Sequence, residues 1–411
     1  WSSDVCSSDL PMDKRLFCSL LIAIQFLAGC GGSENVDVVE RFPLNPETGL
    51  RVSALGPVPE LAEWDDNPSS EAKAKLGNFI YNDPRLSGSG RASCGACHFQ
   101  GTWFQSNTPQ DVPDRSFPEI YPKLTRNAPS LLNIVYAERC RWDGGHCESL
   151  YDVLMLPFAE PNMNLTPGIP QEDNHTIDVP LAQQEFRKRV VEQMPGYVEV
   201  FQEAFGVDIR ELDAEEIWLL GGKALAVLMR DAVTKDSDFD RWDAGDEEAM
   251  DEQQVRGLEV FMGEGGCIAC HSGPLFTDFE FHNLSREEVS EDGTRDDEGR
   301  FIFTGKEEDR GKFLTPTLRS VLMTSPFYHD GSEVDIRKVI AHITGPGGKV
   351  DPLHDPILDG MSLLSDDKIE DLAQFLKSLT GSHPKTERFF APITGLPDIE
   401  MVPIGQPPSD N

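Results

Sequence analysis

Two C-x-x-C-H sequences constrain this chain more than any other feature: CGACH at 94–98 and CIACH at 267–271. Two thiols three positions apart can each add to a vinyl group of one haem, and the histidine that follows is placed to bind the iron. Half of a zinc site or a redox C-x-x-C pair is the alternative. A zinc site would need both thiol pairs to share a metal, although about 170 residues separate them. The sequence therefore predicts two covalent haem c groups, attached to Cys94, Cys97, Cys267 and Cys270, with His98 and His271 as iron ligands.

The N-terminal region has the pattern of an export signal. Residues 1–11 precede the first methionine and are interpreted as a non-native scar. Residues 12–29 combine two basic residues with an apolar stretch too short for a comfortable membrane span, and they lead into a lipobox-like LAGC ending at Cys30. This pattern predicts a lipoprotein, anchored by Cys30 on the periplasmic side of a bacterial membrane, with residues 30–68 as a tether. Ordinary signal cleavage near Cys30 is the alternative.

Cysteine usage and net charge bear on the cellular compartment and on the kind of partner. Cys140 and Cys147 bracket a glycine-bearing turn, which predicts a disulfide in an oxidising compartment, with two independent thiols as the alternative. The net charge of −35, from 71 acidic and 36 basic residues, argues against a nucleic-acid partner. The same charge would suit a basic electron-donor protein, although such an acidic excess is more often simply a solvated surface.

Helical periodicity predicts a mainly α fold with two similar halves. A helix over 70–80 and a glycine-rich turn precede the first motif, and a helix over 252–261 and a second glycine-rich turn precede the other. A clean amphipathic helix is predicted over 366–379. The predicted organisation is an N-terminal domain over 69–245, a C-terminal domain over 246–385 and a tail over 386–411.

At this point the chain resembles the bacterial di-haem cytochrome c peroxidase family, which includes the tryptophylquinone-forming MauG-like enzymes. The resemblance covers roughly residues 70–382 and implies two c-type cytochrome domains in tandem, with haems that face a shared interface. It further implies that the N-terminal haem reacts with peroxide and that the C-terminal haem supplies electrons. The segments that carry it are LSGSG at 86–90, RNAPSLLN at 126–133, WDG at 142–144, CHSG at 270–273, TPTLRS at 315–320 and TSPFYHDG at 324–331.

Two further sites are implied by this resemblance. Trp142 matches a tryptophan that the family places between the haems, where an indole can relay electrons; a core tryptophan in a turn is the alternative. Asn127, Thr324 and Pro326 match positions that bind a calcium ion in the family, through one amide side chain and two backbone carbonyls. Neutral oxygen ligands suit this hard cation.

The chain also departs from the family at the peroxide and electron-transfer sites. Asn162 stands where the family carries a glutamate for acid–base catalysis, in a segment that is one residue shorter, and Glu160 is the nearest carboxylate. Ile343 stands where the family uses Met or Tyr as the sixth ligand of the second haem. His342 and Met361 are the candidate replacements, although a helical neighbour such as His342 points in a different direction.

The sequence thus predicts a peroxidase whose first haem is open to its substrate, because no histidine lies between His98 and His146. Hydrogen peroxide is the expected substrate, and a cytochrome c or cupredoxin is the expected electron donor. The alternatives are a MauG-like oxidase of residues on a partner protein and a non-catalytic di-haem electron carrier. Association into a homodimer is compatible with these readings.

Overall fold

The computed structural model describes residues 42–46, 48–105, 126–146, 148–160, 163, 165, 177–286, 289–290, 293, 295–382, 384 and 388–389. The predicted signal with Cys30, most of the C-terminal tail, Cys147 and Asn162 therefore lie outside the described residues. Cys140 is disulfide-bonded, and its predicted partner is Cys147. No helix within the described part of the chain is long and apolar enough to cross a membrane.

Helices dominate the fold, as the sequence predicts, and sheet among the described residues is limited to one antiparallel pair in which Phe281 lies opposite Leu314. The strands are β1 (Phe281–His282) and β2 (Phe313–Leu314). The helices are α1 (Glu71–Asn82), α2 (Cys94–Cys97), α3 (Leu150–Met155), α4 (Val179–Lys188), α5 (Gly196–Phe205), α6 (Ala214–Met229), α7 (Asp238–Asp243), α8 (Glu252–Met262), α9 (Phe301–Thr304), α10 (Ile336–Thr344) and α11 (Asp366–Ser378). Short 3-10 turns connect several of them.

Side-chain caps explain where the helices before the two motifs begin. The Ser70 hydroxyl accepts a hydrogen bond from the Lys73 backbone N–H at 3.2 Å at the start of α1. At the start of α8, Asp251 and Gln254 form a reciprocal capping box. Because these caps satisfy backbone donors that the first helical turn leaves free, they stabilise both helix starts close to the predicted positions.

Buried apolar side chains form two separate cores. The first core draws mainly on residues between Leu76 and Ala232, joins α1, α3, α4, α5 and α6, and also includes Phe389. The second core draws mainly on residues between Phe239 and Leu379, is built mainly on α8 and α11, and also includes Phe42, Val52 and Leu55. Each half of the chain thus buries its own apolar surface around one of the two motifs.

The same helix crossing recurs in both cores. A Cβ atom added to Gly77 in α1 would clash with the Ala224 carbonyl group of α6, and one added to Gly257 in α8 would clash with the Asp371 carbonyl group of α11. In each half, the helix that precedes the motif therefore crosses a later helix at a glycine. This shared crossing supports the internal repeat that the sequence predicts.

The structure differs from the predicted domain boundaries in two places. Residues 42–58 fall within the predicted tether, yet Val52 and Leu55 are buried in the second core. The Arg51 backbone N–H donates to the Asp243 carbonyl at 3.0 Å, which ties this segment to α7. Phe239 and Trp242 of α7 also belong to the second core, so this core includes residues on the N-terminal side of the predicted boundary at 246.

Candidate haem-binding sites and the interface between them

The second motif lines a cavity of about 340 Å³, within the size range of sites for small organic ligands. Cys267, Cys270 and His271 all lie on its wall. The wall is mostly apolar, as a haem ring requires. Helices α10 and α11 supply part of it, and connecting segments supply most of the rest. The apolar lining includes Ile340, Ile343, Leu372, Leu376, Leu275 and Leu318.

The histidine of the second motif is held in the form that a metal ligand needs. Burial lowers the pKa of His271, which keeps its imidazole neutral. Its Nδ1 lies 2.8 Å from the Phe276 carbonyl oxygen, so the Nδ1–H can donate to that oxygen and leave Nε2 free for iron. Phe276 has φ of +54°, and this uncommon backbone conformation turns its carbonyl toward the histidine.

The first motif repeats this arrangement. Nδ1 of His98 lies 3.2 Å from the carbonyl oxygen of Phe104, whose φ is +61°. Burial lowers the pKa of His98, while the carbonyl groups of Phe104 and Pro129 act against it. The Tyr81 hydroxyl donates to the His98 carbonyl and ties the motif to α1. Residues 106–125, which belong to the loop predicted to leave this haem open, lie outside the described residues.

The thiols fit thioether attachment better than zinc binding. Burial raises the pKa of Cys94 and of Cys267 to about 12, which keeps both thiols protonated at neutral pH. A structural zinc site requires thiolates, usually from four residues that converge on one ion. The two pairs lie in different cores, so they cannot share an ion.

Trp142 connects the cavity of the second motif to the first domain. Its indole is half-buried and lines the cavity together with His271. Its Nε1–H donates to the Asn127 carbonyl at 2.8 Å, and its own carbonyl accepts from the Leu314 N–H at 2.7 Å. Asn127 is two residues from Pro129, whose carbonyl interacts with His98. Trp142 thus lies between the cavity of the second motif and the 127–129 segment that supports His98.

An ionic network that the sequence did not predict holds the segment around Trp142. The Arg126 guanidinium donates to both oxygens of Asp297 at 2.6 and 2.8 Å and also pairs with Asp143, which is fully buried. Burial alone would raise the pKa of Asp143, but Arg126 and Arg141 hold it below the ordinary value. The network joins the two halves of the chain, so it fixes Trp142 relative to both.

Glu160 is buried beside this network. Its Oε1 lies 2.6 Å from Nη1 of Arg141, a residue that also lines the cavity. Burial raises the pKa of Glu160, although Arg141 acts in the opposite direction. The segment that follows Glu160 also contacts the glycine-rich turn before the first motif, since the Gly88 N–H donates to the Met163 carbonyl at 2.6 Å. Asn162 itself lies outside the described residues.

The two candidate sixth ligands are placed differently. Met361 is buried and lines the cavity, as does Ile343. His342 is not one of the described residues that line the cavity. Nε2 of His342 instead lies 2.9 Å from the Leu284 carbonyl oxygen. Met361 is therefore the better-placed candidate, as the helical direction of His342 predicts.

Asn127 and Pro326 of the candidate calcium site are in contact. The Asn127 amide nitrogen donates to the Pro326 carbonyl at 3.0 Å, and the Gln105 amide nitrogen donates to it at 2.8 Å. Thr324 lines the same cavity, and its hydroxyl donates to the Val321 carbonyl. A cation between these groups would require the Asn127 amide to turn its oxygen inward.

A histidine between two carboxylates also lines the cavity and was not predicted from the sequence. Nδ1 of His282 lies 2.6 Å from Asp355, and Nε2 lies 3.0 Å from Asp278. Burial alone would lower the pKa of His282, but the hydrogen bonds to the two carboxylates raise it to about 12. Cys270 also lies nearby. Both ring nitrogens of His282 thus have a carboxylate partner.

Comparison with known proteins shows the family. Residues 71–248 match the family described as di-haem cytochrome c peroxidase. MauG of Methylorubrum extorquens, a methylamine utilization protein, is 32% identical over 286 residues, which cover 69% of this chain and 71% of that protein. Cytochrome c551 peroxidase of Pseudomonas aeruginosa is 30% identical over 338 residues, which cover 80% and 85% respectively.

The chain belongs to the di-haem cytochrome c peroxidase family. This membership implies two c-type haems and a peroxidase or oxidase activity, in agreement with the paired motifs. The solved structure of a MauG-like protein associated with microbial copper homeostasis has a TM-score of 0.64 and 25% identity, and the match covers 81% of this chain and 96% of that one. The diheme peroxidase BthA of Burkholderia thailandensis shares the fold, with a TM-score of 0.58 at 19% identity over 81% of this chain and 93% of that one.

Proposed function

We propose that this member of the family reduces hydrogen peroxide with electrons from a small redox protein. Peroxide reacts at the first motif, and electrons enter at the second. When bound, the haems supply the redox chemistry, in which one hydrogen peroxide, two electrons and two protons yield two water molecules. The observation that carries the proposal is the position of Trp142 between the cavity of the second motif and Asn127, because a two-electron reaction at one site needs electrons from the other.

In this proposal the protein has three tasks around the reacting groups. His98 and His271 are oriented by backbone carbonyls, which strengthens them as ligands. Trp142 carries electrons between the two sites while the Arg126 network keeps it in place. Glu160 takes up and returns a proton in the absence of the family glutamate, and burial raises its pKa above the ordinary carboxyl value, which favours uptake of the proton.

A turnover assay tests the proposal against its two alternatives. The haem-loaded protein is mixed with hydrogen peroxide and a reduced small cytochrome c, and oxidation of the cytochrome is followed. Sustained oxidation is the expected result. A MauG-like oxidase would instead remain oxidised by two equivalents for a long time without using the donor. A pure electron carrier would not react with peroxide.

Substitution of Glu160 by glutamine should lower the turnover number by roughly a hundredfold, since a positioned acid–base group typically contributes at least that much. In the unaltered protein, activity should be lost as the pH falls through the raised pKa of Glu160, because the carboxylate form accepts the peroxide proton. The glutamine variant should lack this limb of the pH profile. The exposed Glu148 provides the control, since E148Q should change neither quantity. A full rate in E160Q would remove Glu160 from the mechanism.

Replacement of Met361 by alanine should convert the second haem from low-spin to high-spin, because the better-placed sixth ligand is lost. Electron paramagnetic resonance of the oxidised protein measures this change directly. The matched variant H342A should keep the low-spin signal, since His342 contacts the Leu284 carbonyl and not the cavity. A low-spin second haem in M361A together with a high-spin one in H342A would reverse the assignment.

The cellular setting is also part of the proposal. Export, a lipid anchor at Cys30 and a periplasmic location agree with the sequence pattern. A basic cytochrome c or cupredoxin as donor agrees with the net charge of −35. A structural calcium ion at Asn127, Thr324 and Pro326 agrees with the contact between two of these residues.

A further inference from the structure

Both motif histidines depend on the same kind of support. Each donates from Nδ1 to the carbonyl of a phenylalanine with positive φ, which is Phe104 for His98 and Phe276 for His271. Both phenylalanine rings are completely buried. A bulky residue adopts this conformation only where its surroundings hold it, so the packing around each ring determines where the carbonyl points.

In the second core, this packing comes from the helices of the same half. The Phe276 ring contacts Phe239 of α7, Phe261 of α8 and Phe375 of α11, with ring centroids 5.4, 5.9 and 6.3 Å away. Helix α11 is the last described helix of this half of the chain. The aromatic support for His271 is therefore local to its own domain.

In the first core, part of the corresponding support comes from the opposite end of the chain. The Phe389 ring lies edge-on to Phe104, with centroids 4.7 Å apart, and edge-on to Tyr81 at 5.3 Å. Phe389 is only 1% exposed and belongs to the first core, although it follows the second domain in sequence. Tyr81 also bonds to the His98 carbonyl, so Phe389 contacts two residues that hold this histidine.

Polar contacts fix the position of Phe389. Its carbonyl accepts hydrogen bonds from the side chains of Asn82 at 3.0 Å and Gln100 at 3.4 Å. The neighbouring Arg388 pairs with Glu71 of α1 and with Asp231, at 2.6 and 2.9 Å. These contacts attach the tail to the first domain at a defined place, next to the first motif.

We propose that Phe389 is a positioning residue for the first haem, supplied by the C-terminal tail. Its ring holds Phe104 in the conformation that directs the carbonyl toward His98. A strong hydrogen bond at Nδ1 makes a histidine a more basic ligand, and a more basic ligand favours the oxidised iron. The tail therefore lowers the reduction potential of the first haem. This inference rests on haem binding at the first motif and is independent of the substrate.

A spectroscopic redox titration of the haem-loaded full chain tests this role without peroxide. In F389A, the potential of the first haem should shift upward and its electron paramagnetic resonance signal should change, while the second haem keeps both values. F389L should return the potential toward that of the unaltered protein, since leucine restores much of the packing. K75Q is the control and should leave both potentials unchanged, because it removes an exposed ion pair between α1 and Glu203 that does not involve the tail.

Each outcome decides the proposal. An unchanged first-haem potential in F389A would overturn it, and so would equal shifts of both haems, which indicate a general loss of structure. Should F389A fail to retain two haems, F389L becomes the deciding variant: a smaller upward shift confined to the first haem supports the proposal, and no shift overturns it. Failure of the peroxidase assay alone would leave these potentials measurable, so the two proposals fail separately.

Discussion

Replacement of Trp142 by phenylalanine is expected to slow peroxide-driven oxidation of the second haem by about tenfold or more, while both haems stay bound. Tenfold corresponds to about 1.4 kcal/mol of activation free energy. Phenylalanine keeps much of the ring packing but is far harder to oxidise than an indole. The variant also loses the hydrogen bond from Nε1 to the Asn127 carbonyl. Stopped-flow absorbance after mixing with peroxide measures the rate.

The control for this experiment is Trp64, another half-buried tryptophan of the first domain. Its ring packs against Tyr151 and Arg230, away from the residues that line the cavity. W64F should therefore leave the rate unchanged. An unchanged rate in W142F would return Trp142 to a packing role. A slow rate in both variants would point to a general effect on the first domain.

Replacement of both cysteines in either motif by alanine is expected to remove one covalent haem per chain. The C94A/C97A variant should also lose peroxide reduction entirely, because in the proposed function peroxide reacts at the first motif. The C267A/C270A variant should keep its reaction with peroxide but lose sustained oxidation of the donor. A pyridine haemochrome assay counts the haems, and the turnover assay separates the two variants.

The two double variants serve as controls for each other, since each leaves the other motif intact. Fewer than two c-type haems in the unaltered protein would contradict the prediction at once. The second variant should also lose more thermal stability than a surface change. Its haem would no longer fill an apolar cavity of about 340 Å³ bounded by the helices of the second core.

Several features could be predicted from short stretches of sequence because local chemistry determines them. The helix before each motif begins at a capping residue that the sequence displays, and the amphipathic pattern of α11 identifies its buried face. The mainly α fold follows from the same periodicity. The preference for Met361 over His342 also follows from helix geometry, since His342 lies beside the position that faces the cavity.

Other features depend on contacts between residues far apart in the chain. Scattered prolines predict a tether over residues 42–58, but this segment packs on the second core because Val52 and Leu55 find apolar partners there. The pair of Glu160 with Arg141 and the position of His282 between two carboxylates have no local signal. The raised pKa of Glu160 arises from burial, and that of His282 arises from the two carboxylates that the fold places beside it.

The sequence by itself determined that the chain carries two haem-attachment motifs, that it is helical and which family it belongs to. These properties lie in residues a few positions apart, where spacing alone decides the chemistry. The tertiary structure alone decided how the sites are supported: the Trp142 carbonyl accepts a hydrogen bond from Leu314 of the other half, and Phe389 from the tail packs beside the first motif. Such contacts cannot be deduced from spacing, because they follow from how two cores and the segments at both ends of the chain pack together.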